Sequence, residues 1–322
     1  MEEALALAAR GEGHTRPNPP VGAVVVRGGK VIGRGWHRKC GGDHAEVAAI
    51  KNASAQALLR SSTLYVTLEP CSRPGKVGAC TDAIIAAGIG RVVYAVDDPN
   101  PRNRGRAKRV LSRAGISCER LPGNSDVARK ATRLIAPFAK HVTTGLPFVT
   151  VKIAMSLDGR IADDFGDARW ISSPCARAAT GKMRERVDAV MVGAETVRRD
   201  NPSLLCHTKR NDDIVRVVIS RSGRLPKKAQ VFTDGAVNKT LVYSDARKAL
   251  DELGRMGVMH VMCEGGLALA TSLAEAGLVD EWLTVLSPVV VGKRHIGDAV
   301  RPFSIGSVST AGCDAMCRYL AK

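Results

Sequence analysis

The chain has 322 residues, 45% of them apolar and 4% aromatic, and its 48 Lys and Arg against 31 Asp and Glu leave a formal charge of +17. This is a globular composition, long enough for two domains. It lacks the aromatic content of a stacking platform for single-stranded nucleic acid and any apolar run able to cross a bilayer, so no nucleic-acid and no membrane partner is expected.

In chain order, 2–9 reads as a short helix, and 21–26 and 31–35 as strands joined at Gly28-Gly29, a two-residue turn that tolerates positive φ. Helix is expected over 44–59, strand over 64–68, helix over 81–87, strand over 91–96 and helix over 106–114. That alternation predicts helices packed on a mostly parallel sheet. The polar stretch 141–145, closed by Pro147, reads as a linker, which sets the domains at 1–145 and 146–322. Beyond it, strands are expected at 148–155, 189–192, 214–219, 240–243 and 260–263, with helices at 175–186 and 267–276.

The basic balance is compatible with a solvated surface or with an electrostatic funnel for a phosphorylated small molecule. Nucleic acid fits less well, because the densest basic run, 102–109, has no interleaved aromatics. The nine cysteines are an odd number without a disulfide-framework spacing, and Met1-Glu2-Glu3 offers no positive region of a secretory signal. A reducing cytosol is therefore expected.

Chemistry concentrates at His44-Ala45-Glu46, Pro70-Cys71 and Cys80. One imidazole and two thiolates give Zn2+ three ligands and leave a position open for water, as a catalytic zinc requires. Glu46, two residues beyond its histidine, is free to move protons. A structural site would instead recruit Cys40 as a fourth ligand and leave Glu46 without purpose. His-x-Glu with Pro-Cys and a later Cys is the pattern of zinc-dependent nucleobase deaminases, although eight residues separate Cys71 from Cys80 where two are common.

The surrounding residues carry a closer resemblance. Thr15-Arg16-Pro17-Asn18-Pro19-Pro20-Val21-Gly22-Ala23-Val24, His37, Val66-Thr67-Leu68-Glu69-Pro70-Cys71-Ser72, Gly75-Lys76 and Asp98-Pro99-Asn100-Pro101 occur in the order of the bifunctional riboflavin-biosynthesis deaminase/reductase family, which the chain resembles. The widened Cys-to-Cys loop is a mark of that family. The resemblance implies a cytidine-deaminase-like α/β/α zinc domain followed by a dihydrofolate-reductase-like α/β domain using NADPH. It makes His44, Cys71 and Cys80 the metal ligands and Glu46 the proton shuttle. Asn18, His37, Lys76, Asp98 and Asn100 become contacts to the pyrimidine and its ribose phosphate. Arg73 and Val77-Gly78-Ala79 depart from the family pattern.

In the second half, Val151-Lys152-Ile153-Ala154-Met155-Ser156-Leu157-Asp158-Gly159, Trp170-Ile171-Ser172-Ser173, Asp200-Asn201-Pro202-Ser203-Leu204 and Cys263-Glu264-Gly265-Gly266 resemble the family's reductase. By that resemblance Ala154, Trp170, Thr196, Asp200 and Gly266 hold the cofactor. Ala168, Arg184, Leu204, His207 and Glu264 meet the substrate, and Lys152 and Glu264 orient the ribose and support proton transfer. Ala168 and His207 stand where the family commonly has Ser and Arg, so a degenerate reductase is one alternative. A tRNA or nucleobase deaminase and a non-catalytic zinc protein are others. The resemblance implies a phosphorylated pyrimidine substrate and allows a homo-oligomer.

Overall fold

The computed structural model describes residues 1–54, 59–73, 78–163, 171–206, 214–236, 239–293, 303–311 and 314–321. These divide into two units, Met1–Phe148 with Asp251–Met259, and Val149–Leu250 with His260–Lys322.

The first unit runs α1 (Glu2–Ala8), β1 (Gly22–Arg27), β2 (Lys30–Trp36), α2 (Ala45–Lys51), β3 (Thr63–Leu68), α3 (Cys80–Ala86), β4 (Arg91–Val96), α4 (Arg106–Arg113), β5 (Ser117–Arg120), α5 (Asp126–Leu134) and α6 (Ala136–Thr144). Gly28 and Gly29 take φ of +53° and +74°, as the tight hairpin between β1 and β2 demands. The sheet order is β2-β1-β3-β4-β5. The expected mostly parallel sheet is in fact mixed: β1 is antiparallel to both β2 and β3, and only β3, β4 and β5 run parallel. The cause is the hairpin, because a two-residue turn can only reverse the chain. α2 then crosses over β1 to deliver β3. Val25, Leu64, Val66, Ile84, Val92 and Leu111 fill the core beneath the helices.

Two other expectations change. The helix expected over 44–59 is the shorter α2, which ends at Asn52. The Asn52 amide donates to the Arg34 carbonyl at 3.2 Å, a local bond that competes with further helix. A Cβ on Gly35 would lie 2.3 Å from the Ala49 nitrogen, so this glycine lets α2 rest directly on β2 and fixes the height of its first turn over the sheet. The linker expected at 141–145 is the last turn of α6 and its cap. Phe138 is buried, the Thr143 and Thr144 hydroxyls donate back to the Ala139 and Lys140 carbonyls, and Gly145 stops the helix at φ +75°.

The elements after α6 are β6 (Phe148–Met155), α7 (Pro174–Arg184), β7 (Ala189–Gly193), α8 (Ala194–Asp200), β8 (Val215–Ile219), α9 (Gln230–Thr233), β9 (Thr240–Tyr243), α10 (Ala246–Arg255), β10 (His260–Cys263), α11 (Leu267–Glu275), β11 (Glu281–Leu286) and the antiparallel pair β12 (Phe303–Ala311) and β13 (Asp314–Ala321); Phe148 and Asp251–Arg255 fall in the first unit and the rest form the second unit. Its main sheet has the order β11-β6-β10-β7-β8-β9, with β10-β7, β7-β8, β8-β9 and β11-β6 parallel. Buried Val190, Val192, Val218 and Met262 are the continuous apolar strand residues such a sheet requires.

Candidate functional site

His44 is the N-cap of α2, Cys71 lies just past β3 and Cys80 is the first residue of α3. Two helix starts and a strand end thus meet at one point. His44 Nδ1 is 3.2 Å from Cys80 Sγ and 3.6 Å from Cys71 Sγ, and the two sulfurs are 3.3 Å apart. Tetrahedral zinc, about 2.3 Å from sulfur and 2.0–2.1 Å from nitrogen, spans ligand edges of roughly 3.5–3.8 Å, so this triangle fits the ion with shifts of a few tenths of an ångström. Among the described residues the group is His44, Cys71 and Cys80; Cys40 does not join it. The donor set is that of an open, catalytic centre.

The charges around it are unequal: the hydrogen bond between the two sulfurs, together with burial, pushes the Cys80 thiol up. Hydrogen bonds from the Cys80 thiol and then from His44 hold Cys71 well below an ordinary thiol, in the form that ligates metal. Bonding to Cys71 shifts His44 up. Glu46, only 4% exposed, is pushed up to about 7 by burial, with the Cys71 charge adding to the effect. A carboxyl poised near neutrality beside a metal triad can both take and give a proton.

His37 stands edge-on to His44 with ring centroids 5.2 Å apart. Its Nδ1 is 2.9 Å from the Asp43 carbonyl, which can only accept, so Nδ1 carries the proton. Burial keeps His37 below its usual range and therefore neutral. Nε2 must then accept from the Asn18 amide nitrogen at 3.1 Å. This orients Asn18, whose backbone is also turned by the Thr15 hydroxyl bond to its carbonyl at 2.8 Å.

Residues that the sequence did not mark hold the Cys71 loop. Buried Glu69 accepts the amides of Asp98, Gly105 and Ala107 at 3.2, 3.0 and 3.1 Å. Asp98 in turn accepts from the Asn100 amide and the Asn103 side chain, each at 2.8 Å. Asn103 Oδ1 receives the Ser72 amide at 2.8 Å, next to the metal-binding sulfur. The one available hint was Asx-rich turn chemistry at 97–103. Asn103→Ala is expected to lower zinc retention about 10-fold, as loss of an orienting partner does, with secondary structure unchanged; zinc content after dialysis against a weak chelator checks it.

In the second unit a cavity of about 1180 Å³ opens at the carboxyl ends of β6, β7, β8 and β10, where open α/β sheets bind ligands. It is larger than a single small-molecule pocket needs. Lys152, Ala154, Arg184, Thr196, Asp200, Leu204, Glu264 and Gly266 all line it. α11 starts at Gly266 with no side-chain cap, and a Cβ there would enter open space, leaving room for a pyrophosphate against the helix N-terminus. The residues present therefore fit a dinucleotide. Arg184 forms a fork with Glu264, Nε to Oε1 at 2.6 Å and Nη2 to Oε2 at 2.9 Å, and its Nη1 donates to the Leu205 carbonyl at 3.2 Å. Lys152 is shifted down by burial and by Arg184, against the pull of Glu264.

The family model for the cytidine and deoxycytidylate deaminase zinc-binding region matches residues 1–96, and that for the RibD C-terminal domain matches 147–306. Riboflavin biosynthesis protein RibD of Bacillus amyloliquefaciens is 39% identical over 91% of this chain and 84% of its own length. The chain belongs to the RibD family. RibD of Escherichia coli K12 is 33% identical over 94% of this chain and 90% of its own. Two solved structures cover 100% of this chain and 97% of theirs: Acinetobacter baumannii RibD, with a TM-score of 0.80 at 30% identity, and a deaminase/reductase from Thermotoga maritima, with 0.84 at 32%. The chain is a riboflavin-biosynthesis enzyme with a zinc-dependent deaminase domain and an NADPH-dependent reductase domain.

Within this RibD chain, His44, Glu46, Cys71 and Cys80 form one cluster, with His37 packed against His44 and hydrogen-bonded to Asn18. Asp98 and Asn100 lie in the loop braced by Glu69. Lys76, Ala168, Trp170 and His207 fall outside the described residues.

Proposed function

We propose that the chain deaminates diaminohydroxyphosphoribosylaminopyrimidine and then reduces 5-amino-6-(5-phosphoribosylamino)uracil, the two substrates in the name of the Thermotoga maritima enzyme. The observation that carries this reading is the convergence of His44, Cys71 and Cys80 with buried Glu46 beside them. The domains are read as 1–145 and 146–322.

His44, Cys71 and Cys80 would hold zinc, which would supply a Lewis acid that brings water toward a neutral pKa. Glu46 takes a proton from the attacking water and gives it to the ring nitrogen, then takes the remaining proton of the added hydroxyl and gives it to the amino group, which leaves as ammonia. Asn18, oriented by neutral His37, holds the pyrimidine, and Asp98, Asn100 and Lys76 complete its contacts.

Ala154, Trp170, Thr196, Asp200 and Gly266 would hold NADPH, which would supply the hydride for C1′ of the ribosyl group. Opening the ribosyl ring needs one proton as well, and we assign its delivery to Lys152. Glu264 orients the ribose and is itself held by Arg184. Ala168, Leu204 and His207 are assigned to substrate binding. We assign the chain to the cytosol, a reading supported by the free cysteines among the described residues; no described helix is long and apolar enough to cross a membrane.

With the purified protein and the diamino substrate, ammonia release and NADPH oxidation are followed separately. Both are expected, in that order. No ammonia from zinc-loaded protein overturns the deaminase assignment, and ammonia without NADPH oxidation overturns the reductase assignment.

A further inference from the structure

We propose that the ion pair between buried Arg216 and partly exposed Asp234 is a positioning clamp for the reductase, holding Leu204 in the left-handed backbone conformation that shapes the substrate end of the cavity. The inference rests on reading that cavity as the reductase site.

Leu204 has φ +58° and Asn201 φ +43°, a conformation that a branched or bulky side chain avoids. Such a residue persists only where its surroundings over-determine it, and here they do. The carbonyls on both sides of Leu204 are held by arginines. Arg216 Nη1 donates to Ser203 O at 2.9 Å, and Arg184 Nη1 donates to Leu205 O at 3.2 Å. Asn201 is fixed as well, its Oδ1 accepting the Gln230 amide at 2.7 Å.

Arg216 projects from β8 and is completely buried. Its Nη1 and Nη2 reach the Asp234 carboxylate at 2.6 and 2.9 Å, which neutralises the charge and aims the fork. Asp234 follows α9, and Gln230 opens that helix, so α9 and its flank grip the 201–204 segment at two points. Burying a guanidinium, as at Arg216, is a poor way to gain stability, since apolar residues of the same volume do as well. What apolar residues cannot supply is the N–H to Ser203 O. The clamp also continues to the reaction: Leu205 O shares Arg184 with Glu264, so the backbone on either side of Leu204 is tied to Arg216–Asp234 at one end and to the Arg184–Glu264 pair at the other.

The test is steady-state kinetics on full-length protein. Arg216→Met/Asp234→Leu removes the pair without stranding a charge. The expected result is an increase of about 10-fold or more in KM for the aminouracil phosphate, with NADPH KM and ammonia release within about twofold of the parent. Parent-like reduction, or an equal rise in both reductase KM values, overturns the clamp. Two variants that leave the pair intact provide a second measure. Asn tolerates left-handed φ and Val does not, so Leu204→Asn is expected to stay nearer the parent in KM than Leu204→Val. The reverse order means that only the apolar side chain matters, and it overturns the proposal. Lys152→Met is run alongside. If it reduces substrate normally, the cavity is not the reductase site and both readings fall; if it is impaired while the double variant is not, the clamp alone falls.

Discussion

Glu46→Gln lowers kcat for ammonia release by about 10²–10⁴-fold, the range for a general acid–base group, while bound zinc and NADPH oxidation with the aminouracil substrate stay at parent levels. The argument is one of shape and charge. Gln fills the same buried space at the start of α2 and leaves His44, Cys71 and Cys80 in place. It cannot take a proton. Burial pushes the native carboxyl up to about 7, so near neutrality it exchanges protons readily in both directions, whereas an ordinary surface glutamate would hold only its charged form. Ammonia assays on zinc-quantified protein decide the matter. A variant with full activity would remove Glu46 from the mechanism.

Glu264→Gln and Lys152→Met are expected to cut NADPH oxidation by about 10²-fold or more and to leave ammonia release unchanged. Glu264 has two tasks that Gln fails: it carries the charge opposite Lys152, and it accepts both arms of the Arg184 fork. A neutral amide accepts at one atom only, so Arg184 swings free of its bidentate seat. For Lys152 the pH profile is diagnostic. Burial lowers its pKa, so a step that needs the ammonium fails at a lower pH than an exposed lysine would impose. The alkaline limb of kcat should therefore fall below the usual lysine range in the parent and vanish in Lys152→Met. Single-turnover NADPH absorbance across pH measures it.

The metal triad was legible because zinc imposes spacing: His-x-Glu and Pro-Cys are local, and Cys80 needed only a helix start to reach them. Strands such as Arg91–Val96, Phe148–Met155 and His260–Cys263 were legible from continuous apolar runs. Other elements carried no such mark. β5 is Ser-Cys-Glu-Arg, with only Cys118 buried, and α5 buries only Ala128 and Ala131. α8 follows β7 without an intervening loop, so no turn residue announced it. The mixed sheet was implicit in Gly28-Gly29 but needed strand order to see. The supports of the sites were least legible: Glu69, Asn103 and Arg216 act on backbone amides or carbonyls, and Asp234 on the Arg216 side chain, all distant in sequence, and nothing local specifies such a partner.

Glu69 has a consequence for how the deaminase acquires its metal. Because its carboxylate gathers three amides and Asn103 fastens Ser72, the loop beside Cys71 is shaped by hydrogen bonds that need no ion. Folding and metallation are thus separable events, unlike those of a zinc finger, where the ion drives folding. A chain made during zinc scarcity would stand ready as a folded reserve, and restored supply would recruit it without new synthesis.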